Sequence, residues 1–361
     1  MLHFCFHHFR LRNSPAAQAS RLLRTCRAAQ ASRLHQHTLV LASALGLALV
    51  TSSSYTSSAL TYQSGTPDVT PAAAVDQAHH NRRETSRAAT ATDKDDVIRN
   101  IASQAHGRVG MCATMVETGK QIDFHAADRF PMQSVFKLPI AVTALDQIDK
   151  GTLNLDTVVH VQEQELAPGL ISSKEKYPID KRDLTVREVL RRMIEDSDNT
   201  ACDVTLRLIG RTTAVQKYLH KNGIRGIVEV ASEKQMRKSE RVQYRNWAQP
   251  QAMNELLCAL VKKKVLTDAS RALLLAWMKN TTVCPNRLKA GVPRTVEVYH
   301  KSGSSGTTSG FTAATNDVGI MVLPNGNHMA ISVFVADSRA SEADREGTIA
   351  KIADAAYNRF R

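Results

Sequence analysis

The chain has 361 residues, 43% of them hydrophobic and 22% charged, which is ordinary globular composition for one large domain or two small ones. Its net charge of +13 is uneven, because residues 1–59 contain six arginines and no acidic residue. Of the 47 basic residues, 41 therefore lie beyond residue 59, against 34 acidic residues. No basic stripe interleaved with aromatic residues occurs there, which argues against nucleic-acid binding.

An apolar run at residues 38–50 follows the arginine-rich segment. It is too short to span a bilayer, and small residues follow it, with Ser57 and Ala59 suitably placed for cleavage. We therefore expect residues 1–59 to be a signal segment, the mature protein to be periplasmic or secreted, and no permanent membrane span to remain. An uncleaved membrane anchor is the alternative, because the segment before the apolar run is unusually long for a signal peptide.

Residues 60–92 contain mainly Thr, Ser, Ala, Pro and Asp, which predicts a flexible linker before a folded domain at 93–361. Four cysteines follow the signal segment. Export permits disulfides, but three pairings are possible and the sequence does not choose among them. None of the cysteines has the spacing of a metal site. The four are Cys112, Cys202, Cys258 and Cys284.

Hydrophobic periodicity divides the folded segment into strands at both ends and helices in the middle. Helical faces are predicted at 97–105, 138–148, 186–194, 200–209, 213–221, 250–263, 268–279 and 342–360. Strands are predicted at 108–118, 122–125, 295–301, 317–323 and 328–336. Thr185 and Glu188 predict a capping box, and Asn325-Gly326 predicts a hairpin turn. The pattern favours an α+β fold: an antiparallel sheet from N- and C-terminal strands with flanking helices, plus an all-helical lobe.

A serine and a lysine stand three residues apart at the start of the first long apolar helix, in Ser134-Val-Phe-Lys137. Positions i and i+3 share a helical face, so Lys137 Nζ can approach Ser134 Oγ. The helix N-terminus lends partial positive charge to the serine oxygen. This arrangement can activate a weak nucleophile without a histidine, although the pattern alone is common by chance.

Two further short motifs make the Ser134–Lys137 pattern more specific. Ser197-Asp-Asn199 lies between two helices, where alone it could merely cap the second helix, and Lys301-Ser-Gly303 lies at a strand end, where alone it could be a turn. S-x-x-K, S-D-N and K-[ST]-G are the motif set of class A β-lactamases and penicillin-binding proteins. With them, residues 93–361 resemble a class A serine β-lactamase, with the active site between sheet and helical lobe. Resemblance to the extended-spectrum branch rests on residues 133–137, 243–247 and 287–289.

The resemblance implies hydrolysis of penicillins and cephalosporins through an acyl-serine intermediate, and therefore antibiotic resistance. Ser134 would be the nucleophile, and either Lys137 or Glu233 acting through water would take its proton. Ser197 would pass a proton to the lactam nitrogen, and the N–H groups of Ser134 and Ser304 would hold the oxyanion. No metal or organic cofactor would be needed, and no sequence signal indicates an oligomer, so a monomer is expected. The implied substrate-binding residues are Asn199, Arg287, Lys301, Ser302, Gly303 and Ser304.

Glu233 would separate a hydrolase from an enzyme that the drug merely acylates, because the family uses this glutamate to activate water. Its loop departs from the family pattern. Arg237 replaces an asparagine that helps to hold the water, and Ala231 and Asn246 replace an Arg–Asp pair that ties the loop ends. We expect the loop to be held differently. As alternatives, Glu233 could be a solvated surface glutamate and Arg287 an ordinary surface arginine.

Two other functions share the acylation machinery. A peptidoglycan D,D-carboxypeptidase or transpeptidase would release D-Ala and keep a long-lived drug adduct. A non-hydrolysing β-lactam-binding protein would need a permanent membrane anchor. Glu233 and the predicted cleavable signal argue for the hydrolase.

Overall fold

The computed structural model describes residues 96–168 and 173–361. The predicted signal segment, the predicted linker and the predicted first residues of the folded domain lie outside these ranges. Within them, no helix is long and apolar enough to cross a membrane.

The main sheet joins both ends of the folded chain. Its antiparallel order is β2-β1-β11-β10-β8, with β9 on β10, and Arg108 of β1 pairs with Ala336 of β11. Two small sheets, β3-β7-β6 and β4-β5, lie elsewhere. The strands are β1 (Arg108–Met115), β2 (Gln121–Phe124), β3 (Phe130–Pro131), β4 (Val158–His160), β5 (Asp183–Thr185), β6 (Ile227–Val228), β7 (Trp247–Ala248), β8 (Glu297–Ser304), β9 (Thr307–Thr308), β10 (Phe311–Val322) and β11 (His328–Ser338).

The helices divide between the two faces of this sheet. Because side chains alternate along a strand, Val333 and Val335 of β11 pack with the first and last helices, whereas Phe334 and Ala336 pack with the helical lobe. The predicted α+β architecture is therefore confirmed. The helices are α1 (96–103), α2 (Lys137–Asp149), α3 (Ser173–Lys176), α4 (Val186–Glu195), α5 (Asn199–Ile209), α6 (Arg211–Lys221), α7 (Glu233–Met236), α8 (Pro250–Val261), α9 (Asp268–Asn280) and α10 (Glu342–Phe360).

Two local predictions need correction. Thr185 caps α4 by accepting a hydrogen bond from Glu188 N, but Glu188 does not return the contact. Its carboxylate instead binds Arg191 and Arg192, and the hydrogen bonds from Arg191 lower the pKa of Glu188 to about 2. The strand predicted to end at Lys301 continues through Ser304 because β10 pairs with it throughout.

The four cysteines Cys112, Cys202, Cys258 and Cys284 are free. Burial raises the pKa of the Cys112 thiol to about 12 and that of Cys202 well above its ordinary value. A thiol held protonated in this way is a poor nucleophile. Neither of these two buried cysteines therefore supplies reactive chemistry to the site described next.

Candidate active site

Ser134 lies in a short 3₁₀ turn, Gln133–Phe136, that leads directly into α2. The first nine residues of α2 are all buried, so this helix is fixed inside the core. Ser134 itself is only partly buried, and Lys137 at the start of α2 is fully buried with its Nζ 2.9 Å from Ser134 Oγ. The predicted i, i+3 contact is therefore present.

The Lys137 ammonium joins three separate segments of the chain at one point. Besides Ser134 Oγ, its Nζ lies 2.9 Å from Ser197 O, 2.7 Å from Asn199 Oδ1 and 2.7 Å from Glu233 Oε1. Glu233 is 5% exposed, which excludes the solvated surface glutamate. The ion pair therefore places the Glu233 carboxylate within reach of the same ammonium group that contacts Ser134 Oγ.

The segment Ser197-Asp-Asn199 fills the break between α4 and α5. Asp198 caps α5 through the N–H of Ala201 at 3.0 Å, so the capping role and the functional placement occur together. Ser197 adopts a left-handed backbone, with φ of 54°. Asn199 donates its Nδ2 hydrogen to Pro168 O at 2.7 Å, which fixes its amide plane.

Lys301 approaches the site from β8. Its Nζ donates to Ser197 Oγ at 2.9 Å, so the Ser197 hydroxyl hydrogen stays free to be given to another atom. Lys301 is 1% exposed, and burial, followed by the nearby Lys137 charge, lowers its pKa to about 7.

Gly303 explains why the K-S-G motif ends in glycine. A Cβ added there would lie 2.5 Å from Met132 O and 3.0 Å from Ser134 N, so only glycine allows β8 to pack directly against the turn that carries Ser134. Asn316 on β10 adds a second attachment, because its Nδ2 donates to Pro131 O and Met132 O.

Arg287 is 1% exposed and is not a surface arginine. It donates to Glu346 Oε1 at 3.0 Å, to Gly303 O, to Asn316 O and to Ser304 Oγ at 2.7 Å. Ser304, which accepts this last hydrogen bond, is exposed. The predicted contact of Arg287 with a substrate carboxylate stays a prediction.

The Glu233 loop, residues 231–246, is held by side chains outside the predicted set of site residues. Asp203 accepts hydrogen bonds from the N–H groups of Glu233 at 2.8 Å and Lys234 at 3.1 Å, and burial raises the Asp203 pKa. Asp203 lies four residues after Asn199, on the same face of α5, and this spacing was the available signal. Ser232 and Gln235 add a capping box around α7.

Asn246 replaces an ion pair as the tie between the loop ends. Its buried side chain accepts from Val230 N at 2.8 Å and Ala231 N at 2.9 Å, and it donates to Ala231 O at 2.7 Å. Arg237 is exposed. The loop is therefore held differently, as expected, and its tie consists of hydrogen bonds to the backbone.

Known proteins with similar sequences are β-lactamases. The family model of the β-lactamase enzyme family matches residues 94–360. The chain belongs to this family. It is 39% identical over 266 residues to β-lactamase VEB-1 of Pseudomonas aeruginosa, covering 73% of this chain and 89% of the relative. It is 40% identical over 231 residues to the extended-spectrum β-lactamase PER-1 of the same organism, covering 64% and 75%.

Solved β-lactamase structures show the same fold. A β-lactamase from Chitinophaga pinensis is 43% identical, with a TM-score of 0.72 over 74% of this chain and 100% of that one. TLA-1 extended-spectrum β-lactamase is 36% identical, with a TM-score of 0.71 over 74% and 98%. The predicted class A serine β-lactamase, resembling the extended-spectrum branch, is confirmed at the level of family and fold. The assigned roles of individual residues stay predictions.

Proposed function

We propose that this β-lactamase opens the lactam ring of penicillins and cephalosporins through an acyl-serine intermediate on Ser134. One observation carries the proposal: the buried Lys137 ammonium lies within 2.9 Å of Ser134 Oγ and 2.7 Å of Glu233 Oε1. The nucleophile of acylation and the base of deacylation are thus joined through one group.

Acylation begins when Ser134 Oγ attacks the lactam carbonyl carbon and gives up its proton. Lys137 takes this proton directly when neutral, or Glu233 takes it through water. The N–H groups of Ser134 and Ser304 stabilise the oxyanion, at about 3 kcal/mol of barrier for each donor. Collapse breaks the C–N bond, and the Ser197 hydroxyl protonates the departing nitrogen. The proton taken from Ser134 then passes to Ser197 Oγ, which returns Ser197 and the base to their starting states.

Deacylation requires a water molecule that attacks the ester carbonyl. Glu233 accepts a proton from this water, the bond to Ser134 Oγ breaks, and Ser134 recovers its hydrogen. The substrate carboxylate is held by Lys301, Ser302 and Ser304, and Arg287 supports Ser304. Gly303 lets β8 pack against the Ser134 turn. Asn199 binds the side-chain amide of the drug.

Intact-mass measurement after exposure to penicillin tests the mechanism. Wild-type protein is expected to show a transient adduct, and Glu233→Gln a trapped one, because loss of the base slows deacylation by about 10³-fold. Glu342→Gln, in an exposed glutamate at the start of α10, is the matched control and should behave as wild type. Identical adducts in wild type and Glu233→Gln would contradict the assignment, and D-Ala release from a peptide stem would favour a peptidase.

We also propose that the protein is exported and acts as a monomer. The support is the arginine-rich segment and apolar run within residues 1–59 and the small residues that follow. Fractionation and N-terminal sequencing of the expressed full-length chain should locate a shortened protein outside the cytoplasm, and light scattering should give the mass of one chain. A full-length protein retained in the membrane would indicate the uncleaved anchor instead.

A further inference from the structure

A tyrosine near the C-terminal end of the Glu233 loop is bound to the end of the central sheet. Tyr244 lies in a 3₁₀ turn, Val242–Arg245, and its hydroxyl donates to Asp337 Oδ1 at 2.6 Å. Asp337 Oδ2 accepts from Arg108 Nε at 2.9 Å. A hydroxyl bound to a carboxylate at this length is a charge-assisted hydrogen bond. Burial and then Asp337 raise the pKa of Tyr244, so the hydroxyl stays a donor.

The backbone at Asp337 is unusual. Its φ is 56°, in the left-handed region, although the residue belongs to β11. Aspartate tolerates this region better than most residues, but the conformation persists only where surrounding contacts enforce it. Tyr244 and Arg108 supply those contacts.

The same turn also reaches the nucleophile. Gln243, next to Tyr244, accepts a hydrogen bond from the side chain of Gln133, which immediately precedes Ser134. Gln133 is likewise left-handed, with φ of 47°. The turn 242–245 is therefore attached through Gln243 to the Ser134 turn and through Tyr244 to β11.

A cleft of about 150 Å³ separates this turn from the connection between β8 and β10. Arg241 and Tyr244 line one wall, and Thr308 and Phe311 line the other. Sites that enclose a whole drug-sized ligand measure roughly 300–1,000 Å³, so this cleft has room for one substituent of a ligand. Its far wall follows directly after the K-S-G segment of β8.

We propose that Tyr244 and Asp337 are positioning residues that hold the turn 242–245 and thereby set the width of this cleft for the variable acyl substituent of the β-lactam. The inference rests on the proposed β-lactam hydrolysis. The Tyr244–Asp337 hydrogen bond fixes one wall, and the pairing of β9 with β10 fixes the other. Loss of this hydrogen bond releases Tyr244 from β11. The contacts of Lys137 with Ser134 Oγ and Glu233 Oε1 do not involve Tyr244 or Asp337.

The test compares two cephalosporins with the same nucleus, one with a small and one with a bulky acyl substituent. In Tyr244→Phe and Asp337→Ala, the ratio of kcat/KM for the bulky over the small substrate is expected to rise about threefold or more, mainly through KM. Asp337→Asn should keep the wild-type ratio, because asparagine retains an acceptor oxygen and tolerates a positive φ.

Tyr299→Phe is the matched control, because it deletes another tyrosine hydroxyl that donates to a carboxylate, that of Glu297. An unchanged substrate ratio in Tyr244→Phe, or an equal loss of kcat/KM for both substrates, would overturn the positioning role. A wild-type protein that hydrolyses neither substrate would contradict the proposed function itself. Melting temperatures of all variants separate an altered cleft from a damaged fold.

Discussion

The turn that carries Ser134 and the loop that carries Glu233 meet at the same ammonium group, that of Lys137, yet the protein holds them in different ways. The turn is continuous with the buried helix α2, and β8 packs against it so closely that only glycine fits at position 303. The loop depends on hydrogen bonds that its backbone N–H groups donate to side chains, chiefly to those of Asp203 and Asn246. In the proposed mechanism, acylation therefore relies on the core, whereas deacylation relies on a few replaceable polar groups.

The largest expected effect tests the point where the two regions meet. Lys137→Met keeps an unbranched buried side chain but removes the ammonium from Ser134 Oγ and Glu233. Acylation of the protein by a chromogenic cephalosporin, followed by stopped flow, is expected to slow about 10³-fold, within the range of a positioned acid–base group. Lys150→Met, which loses only an exposed pairing with Asp146, is the control. Acylation within tenfold of wild type would instead assign the proton to Glu233 acting through water.

A substitution at Asn246 should slow deacylation, which depends on the loop, more than acylation, which depends on the turn. Asn246→Ala leaves the N–H groups of Val230 and Ala231 without their acceptor. Ala231 is buried, so its unsatisfied N–H alone costs about 1–3 kcal/mol. Deacylation is expected to slow about 10–100-fold, with acylation within about threefold of wild type, because Ser134 does not depend on this side chain. Asn246→Asp keeps the acceptor but loses the donor to Ala231 O, so its deacylation rate should be intermediate. Burst and steady-state kinetics measure both steps, and equal slowing of both would remove the distinction between the two regions.

The same division explains what the sequence could and could not predict. Ser134 and Lys137 were predictable because helical spacing alone brings positions i and i+3 together. The reason for Gly303 was not, because it depends on the distance between a strand and a turn that are far apart in the sequence. Asn246 was recognised only as a departure from a pattern, since a side chain that binds backbone groups leaves no periodic signal. The capping box at Thr185 was half wrong because Glu188 had two arginines within reach.

A third prediction concerns the pH dependence of Lys301, on the strand β8 that packs against the Ser134 turn. Lys301 must be protonated to hold a carboxylate, and burial, then Lys137, lower its pKa to about 7. The kcat/KM for a carboxylate-bearing lactam should therefore fall as pH rises through about 7, approaching tenfold per pH unit. Lys301→Arg keeps its charge at any of these pH values, so it should lose this alkaline fall even if its overall activity is lower. A fall of the same midpoint in both proteins would assign the titration to another group.

Replacement of Glu229, just before the Glu233 loop, is expected to have the smallest effect on activity and a measurable effect on stability. Glu229 is fully buried, and neither carboxylate oxygen has a hydrogen-bond partner among the described residues. Burial raises its pKa well above 4.5, the ordinary value, so the folded protein holds a proton that the unfolded chain releases. Between these two pKa values the free energy of unfolding should decrease by about 1.4 kcal/mol per pH unit as pH rises.

Glu229→Leu removes this carboxyl at similar volume and with it the pH dependence. Its free energy of unfolding at pH 8, from urea denaturation, is expected to exceed that of wild type by about 1–3 kcal/mol, with a smaller gain at pH 5. The kcat should change by less than about twofold, because the residue precedes the Asn246 tie and its carboxylate forms no hydrogen bond with the described residues. Glu240→Leu, at an exposed position, should leave the free energy of unfolding unchanged at both pH values. A stability gain that is the same at both pH values would show that Glu229 is ionised in the folded protein. The pH dependence predicted for this residue would then be wrong.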